Sequence, residues 1–392
     1  METHAAGPGA FARLDLGRVP SPCFVVDEAA VRRNLAVLKD VGERSGAKVL
    51  LALKAFSMWA LADLVGDHLD GVCASGLWEA RLAREHYRGE LTTYAPAYRG
   101  EDLPEILRLS DTVIFNSPAQ LARFAGAIAQ ARAEGAVFDI GLRLNPEHSE
   151  AEVAKYDPCQ NGSRLGFPVS QLRLEHLEGV DGLHIHALCE QGVEPLRRIW
   201  QSLEPKLAGM LAGLTWLNLG GGHHITRADY DREGLVTLLR DIAERHGLQV
   251  YLEPGEAIAL DAGVLVGEIL DVFDNGGPVA ITDISATCHM PDVIEAPYRP
   301  AMLNESDSET AVTVRLGGPS CLAGDIIGDY RFDSPPEPGA RLAFLDQAHY
   351  SMVKTNTFNG VPLPAIALWN SDTDALRVVR RFDYADFRDR LS

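Results

Sequence analysis

Lys54 is the first residue whose setting suggests chemistry. Only six of the 36 basic residues are lysines, so wherever this chain simply needs positive charge it uses arginine. Yet Lys54 sits inside the apolar run Val49-Leu50-Leu51-Ala52-Leu53-Lys54-Ala55. Read as a strand, the run puts Leu50, Ala52 and Lys54 on one face, with the small Ala52 leaving room. A desolvated lysine gives up its proton more easily, as a Schiff-base amine must. The alternative is a lysine snorkelling from a strand end.

Further along, Gly220-Gly221-Gly222 directly follows the apolar segment 216–219. Glycines at such a turn let backbone N–H groups approach a phosphate, although three glycines also make an ordinary strand-to-helix turn. Glu253-Pro254-Gly255-Glu256 closes another strand-like run. A carboxylate there could hold a heterocyclic nitrogen protonated, or simply cap a turn. His184 and His186 are two apart and share a strand face, but no third ligand stands at a recognisable spacing. His223-His224 and Cys288-His289 also lack zinc-ligand spacing. No metal site is expected, and His184 reads as a hydrogen-bonded core histidine.

These residues need a scaffold that brings distant segments to one place. Apolar runs of strand length occur at 49–55, 71–75, 92–95, 112–116, 138–144, 182–187, 216–219 and 248–252. Between them lie segments of helical period, such as 118–134 and 229–246; an earlier helix is expected over 28–43. Eight apolar strands alternating with helices predict a closed parallel (β/α)8 TIM-like barrel over 28–262. Such a barrel puts functional residues at the C-terminal ends of its strands. After residue 262 helical period fades and Thr, Val, Gly and Pro rise. Segments 311–316, 325–330 and 341–345 predict a mostly antiparallel β domain over 263–392, joined by the N-terminal strand within 10–27.

The whole composition is that of a globular protein: 392 residues, 46% hydrophobic, which excludes collagen-like, coiled-coil and wholly disordered chains. The formal charge of −19 disfavours a phosphate backbone, so nucleic acid is not an expected partner. No apolar run reaches membrane-span length, and the N-terminal stretch lacks a basic start and apolar core, so neither membrane insertion nor export is expected. Six scattered cysteines without a Cys-x-x-Cys pair suit free thiols in a reducing cytoplasm.

Taken in order, the lysine late in an early strand, His186-Ala187-Leu188-Cys189-Glu190, the triple glycine, Glu253-Pro254-Gly255 and Gly318-Pro319-Ser320-Cys321 resemble the alanine-racemase-fold, pyridoxal phosphate-dependent decarboxylases of the ornithine and diaminopimelate group. The resemblance runs from Pro20 to about Phe382. Within the group it is most similar to the branch acting on the carboxylated polyamines carboxynorspermidine and carboxyspermidine. It implies pyridoxal 5'-phosphate as cofactor, a cationic carboxylated polyamine as substrate, and a homodimer with the active site at the interface. By the same resemblance, Lys54 is the lysine that holds the cofactor covalently, Gly220, Gly221 and Gly222 the phosphate turn, and Glu253 the acid facing the ring nitrogen. His186 is the imidazole stacked on the ring, Arg143 a barrel arginine near the cofactor, and Tyr350 a late tyrosine near the phosphate. Cys321 is a cysteine donated across a dimer interface and the candidate proton donor.

Two departures bear on the substrate. The wider group carries arginine where this chain has Glu256, and diaminopimelate enzymes have an acid just after the loop cysteine, where Leu322 stands and the nearby acid is Asp325. An anion in place of a cation suits extra ammonium groups. Asp292 and Glu295, in a segment the resemblance brings near the substrate, complete the expected substrate-binding acids; the alternative for both is a solvated loop. Another decarboxylase of the same fold, acting on diaminopimelate or a basic amino acid, and a non-catalytic carrier of the cofactor are the competing readings.

Overall fold

The computed structural model describes residues 5–151 and 154–392. The chain forms two compact units. One is Asn34–Ile258; the other comprises the N-terminal segment to Arg33 and Ala259–Ser392.

In the first unit, eight strands run parallel: Lys48–Ala52, Gly71–Ala74, Glu90–Tyr94, Thr112–Phe115, Asp139–Asn145, Gly182–Ile185, Trp216–Asn218 and Gln249–Leu252. They are neighbours in chain order, and the ring closes where Tyr251 and Leu252 pair with Lys48 and Val49. A parallel strand must travel back over the outside before the next begins, so the connections carry the helices. The barrel is filled from within. Trp216 lies so close to two neighbouring strands that a Cβ added at Gly182 would fall 2.0 Å from its ring, and one at Gly141 2.6 Å. Its indole N–H donates to Asp139 at 3.1 Å. Only glycine fits beside that ring, so the narrow strands Asp139–Asn145 and Gly182–Ile185 are defined by the plug they surround.

Three sequence expectations shift. The run expected as strand through residue 55 stops at Ala52, and the one expected to reach 187 stops at Ile185. Both apolar runs continue past the last ladder bond into buried turns, which periodicity cannot distinguish from strand. The helix expected over 118–134 is two, Pro118–Arg123 and Ala125–Ala133, because Phe124 departs from helical geometry at φ −100°, ψ 7°. The helix Arg232–His246 starts where Asp231 accepts the Gly234 N–H and stops at left-handed Gly247.

The second unit is built on one eight-stranded sheet. Cys23–Asp27 lies at its centre, antiparallel to Gly263–Asp274 and parallel to Ala365–Asn370. Apart from one further parallel pairing, Pro278–Thr282 with Val312–Gly317, the ladder is antiparallel. Alternation splits the central strands between two cores. Phe24, Leu265 and Phe344 enter one cluster, and Val25, Val264, Val266 and Ala343 the other. A strand buried on both faces cannot alternate polar with apolar, which is why Cys23-Phe24-Val25-Val26 is continuously hydrophobic. Among the described residues, no helix is long and apolar enough to cross a membrane.

Candidate active site

The polar residues of the barrel gather where its strands end. Lys54 is not in a strand but in the turn beyond Ala52, whose carbonyl accepts the Ala55 and Phe56 N–H groups at 3.1 and 3.4 Å. Ala52 is small for a different reason than strand parity suggested. Its N–H donates to the Pro254 carbonyl at 2.9 Å, and a Cβ on Gly255 would lie 2.6 Å from the Ala55 Cβ and 3.2 Å from that of Ala52. The two alanines make room for the Glu-Pro-Gly turn. The Lys54 side chain reaches solvent, yet protein atoms enclose it densely. That enclosure lowers its pKa below the ordinary lysine value, and the charge of Arg143 adds to the effect, against the pull of Cys73, Glu253 and Glu79.

Glu253 is buried just past the strand Gln249–Leu252. The Asn218 amide donates to its Oε1 at 2.7 Å, and His184 Nε2 lies 3.1 Å from its Oε2. Burial raises the carboxyl pKa, but His184, Asn218 and the Lys54 charge outweigh it, leaving Glu253 below the ordinary carboxylate value. Burial holds His184 neutral, assisted by the charges of Arg143 and Lys54. The Cys73 thiol faces the same groups and is raised well above the usual thiol range, first by burial and then by Glu253.

His186 lies one residue beyond Ile185. Its Nδ1 accepts the Gly221 N–H at 3.0 Å, so the neutral ring carries its proton on Nε2. Burial and the surrounding cations push its pKa well below the usual value. Arg143 donates to the His186 carbonyl at 3.2 Å and lays its guanidinium 4.5 Å from the centre of the Tyr94 ring. Its buried Nε has no partner.

The triple glycine is shaped first by its neighbours. A Cβ on Gly221 would sit 2.1 Å from the Glu253 carbonyl oxygen, and one on Gly222, at φ +84°, 2.0 Å from that of Leu188. The Gly220 amide is taken by Asn218 Oδ1 at 2.8 Å and the Gly221 amide by His186. Of the three amides expected to face a phosphate, this leaves Gly222's. Glu256 opens the short helix Glu256–Ala259, with its carboxylate 3.1 Å from buried His224.

The second unit holds the other candidates. Cys321 is exposed on the loop after Val312–Gly317, its N–H donating to Asn359 at 2.6 Å. Asp325, expected to meet substrate, is buried, accepting from the Ser285 and Ser320 hydroxyls at 2.8 and 2.6 Å and from the Thr287 N–H at 3.1 Å. Its role is to tie down the Gly318–Ser320 turn that presents Cys321. Asp292 is paired, both oxygens accepting from Lys354 Nζ at 2.7 and 2.8 Å. The same ammonium stands 5.3 Å from the centre of the Tyr350 ring, and Tyr350 has a left-handed backbone at φ +46°. Glu295 is exposed at the end of the short helix Asp292–Glu295. Among the described residues, no group of three or more His, Cys, Asp or Glu side chains converges to hold a metal ion.

Sequence reasoning passed over Tyr94, Cys73, Asn218 and Lys354. Three of these had a usable signal, being polar or thiol residues within one position of the C-terminal end of a barrel strand.

Comparison with known proteins shows the family. The family model described as pyridoxal-dependent decarboxylase, C-terminal sheet domain, matches residues 23–348. A carboxynorspermidine/carboxyspermidine decarboxylase of Campylobacter jejuni is 39% identical over 94% of this chain and 98% of that one. A carboxyaminopropylagmatine decarboxylase of Synechocystis is 40% identical over 96% of each. Among solved structures, carboxynorspermidine decarboxylase from Campylobacter jejuni, complexed with norspermidine, superposes with a TM-score of 0.85 at 37% identity, covering 95% of this chain and all of that one. Diaminopimelate decarboxylase from Helicobacter pylori shares the fold at a TM-score of 0.78 and 19% identity, over 96% of this chain and 97% of that one. With an eight-stranded parallel barrel, a mostly antiparallel sheet and relatives that match nearly end to end, the chain belongs to the pyridoxal-dependent decarboxylases.

Proposed function

We propose that this enzyme removes the α-carboxylate of carboxynorspermidine or carboxyspermidine, releasing CO2 and norspermidine or spermidine. The observation that carries the reading is the barrel cluster: an enclosed lysine of lowered pKa, a buried anionic Glu253 and a neutral imidazole, all at strand ends. That donor set fits pyridoxal 5'-phosphate. Lys54 would hold it, Glu253 would face its ring nitrogen, His186 its ring, and the Gly222 amide its phosphate. Arg143, whose buried Nε lacks a partner, has a donor to spare for it. Bound there, the cofactor supplies an electron sink for the pair left at Cα when CO2 departs.

The chain's own residues do the rest. Lys54, whose enclosure favours loss of its proton, acts as a nucleophile. Glu253 stays anionic because two donors hold it. His186, locked by the Gly221 amide, presents Nε2–H and resists protonation. Cys321 returns a proton to Cα and draws a replacement from solvent, to which it is open. The resemblance also supports Tyr350 as a phosphate contact, Glu256, Asp292 and Glu295 as partners for substrate ammonium groups, and a homodimeric assembly. The six cysteines form no disulfide, which supports a cytoplasmic setting.

Incubating the purified protein with carboxynorspermidine, carboxyspermidine, carboxyaminopropylagmatine and diaminopimelate, followed by product analysis, tests the reading. The agmatine derivative is included because of the Synechocystis relative. Norspermidine or spermidine as the preferred product supports the assignment. Preferred turnover of the agmatine derivative or of diaminopimelate would reassign the substrate, and bound cofactor with no turnover would leave a carrier.

A further inference from the structure

Three neighbouring barrel strands deliver the groups around Glu253. His184 and Asn218 are register partners on adjacent strands, and Asn218 is in turn level with Tyr251, two residues before Glu253. Asn218 donates to one carboxylate oxygen and His184 sits on the other. An ionised carboxylate only accepts, so His184 Nε2 must carry the ring proton. The Nδ1 lone pair is then bare, and it is buried without a partner.

Another buried histidine is satisfied differently in the same molecule. Buried His289 accepts the Ser285 N–H at Nδ1 and reaches the Pro362 carbonyl with Nε2, so both nitrogens are used. His184 leaves one nitrogen unsatisfied at a buried site, an arrangement that costs stability. What it gains is one aimed hydrogen bond to Glu253. Its ring is also fixed by Tyr94 and His186, at centroid distances of 5.5 and 6.5 Å. The charged or titratable groups around the pair include Lys54, Arg143, His186, Cys73 and Tyr94, and the two cations oppose a second proton on His184.

We propose that His184 is a positioning residue. Together with Asn218 it clamps Glu253 as an anion in one orientation, aimed at the ring nitrogen of the bound cofactor. This rests on the cofactor reading above and assigns a task to a residue that sequence alone marks as core.

The test uses His184→Phe, which keeps the bulk and loses the donor, and His184→Gln, whose amide can reach the same oxygen. In the wild type without cofactor, 15N NMR of labelled histidines should show His184 as the neutral Nε2–H tautomer. Loaded with pyridoxal phosphate, His184→Phe should still be trapped at Lys54 by borohydride. Its cofactor absorbance should titrate at a shifted pH, and kcat should fall about ten- to a hundredfold, the worth of one charge-assisted hydrogen bond, with KM near wild type. His184→Gln should recover most of both. An unshifted titration with wild-type kcat in the Phe variant, or an Nδ1–H tautomer in the wild type, would overturn the assignment. Should His184→Phe fail to fold, a Gln variant without wild-type-like titration overturns it equally. Failure of the wild type to bind pyridoxal phosphate would refute the cofactor reading instead, and the tautomer would still decide whether His184 donates to Glu253.

Discussion

The barrel and the sheet unit carry their candidate residues in opposite ways. In the barrel, Glu253, His184 and Arg143 are buried, start from strands or the residue just past one, and are held by hydrogen bonds between strands. In the sheet unit, Cys321 and Glu295 are exposed on loops or a single helical turn, and Tyr350 has a backbone conformation unusual for a non-glycine residue. The lesson is a division of labour. Under the proposed function, chemistry common to every turnover would be built on rigid ladder ends, whereas groups proposed to meet a variable substrate or exchange protons with solvent sit on adjustable segments.

The sharpest way to break this comparison is at Lys54. Lys54→Ala should lose essentially all turnover while keeping the fold, since nothing else in the enclosed cluster supplies an amine. Borohydride reduction of the loaded wild type and peptide mapping should label Lys54; label at Lys48 or Lys354 would move the chemistry elsewhere. Next comes Cys321→Ala, expected to lower kcat by about 10²–10⁴-fold, the usual worth of a positioned proton donor, with little change in KM. Mixing the two inactive proteins under subunit exchange should restore part of the activity if the assembly is a homodimer with shared sites. No recovery from demonstrated heterodimers would refute that arrangement.

Substrate-side effects should be smaller and should fall on KM. Losing a charge-assisted contact in a partly desolvated site costs about 1.5–3 kcal/mol, or roughly ten- to a hundredfold. Glu256→Gln and Asp292→Asn should therefore raise KM for the carboxylated polyamine and leave the bound cofactor's absorbance intact. Asp292 is paired with Lys354, which sharpens the test. Lys354→Met removes the ammonium that competes for the carboxylate and should lower KM, while Asp292→Asn takes the anion from beside the Lys354 cation, which then repels ammonium. Wild-type KM in all three variants would mark these acids as structural, and the polyamine reading would lose its support from the residues themselves.

Legibility in the sequence divides along the same line. All eight barrel strands were visible because a parallel sheet buried on both faces writes itself as apolar runs. Lys54 and Glu253 were visible because each breaks such a run at its end. His184 reads correctly as a hydrogen-bonded core histidine, but its partner is not legible, because Glu253 lies 69 positions away and only strand register brings the two together. Asp325 reads as a substrate acid because nothing in its local sequence points to the serine hydroxyls and amide that surround it in the fold. Lys354 went unremarked because nothing in its local sequence points to Asp292.

The last and smallest effect concerns stability, and each unit supplies one group. His223 in the barrel is pushed down to about 3, and His289 in the sheet unit to about 4, in both cases chiefly by burial. The geometry explains why neither accepts a second proton. His223 Nε2 is buried without a partner beside the cationic form His224 would take, and His289 Nδ1 already receives the Ser285 N–H. In the unfolded chain both rings titrate near 6.5. Between that value and the folded pKa the unfolded state binds more protons, so stability present above about 6.5 is lost as pH falls. At pH 5 the loss is on the order of 2 kcal/mol for each ring, enough to lower the thermal midpoint by several degrees. His289→Gln should blunt the drop, because a neutral amide can keep a donor and an acceptor at that site without titrating. A thermal midpoint that stays flat from pH 7 to 5 in the wild type would show that these rings accept protons in the folded protein, and the contrast with His184 would lose its reference.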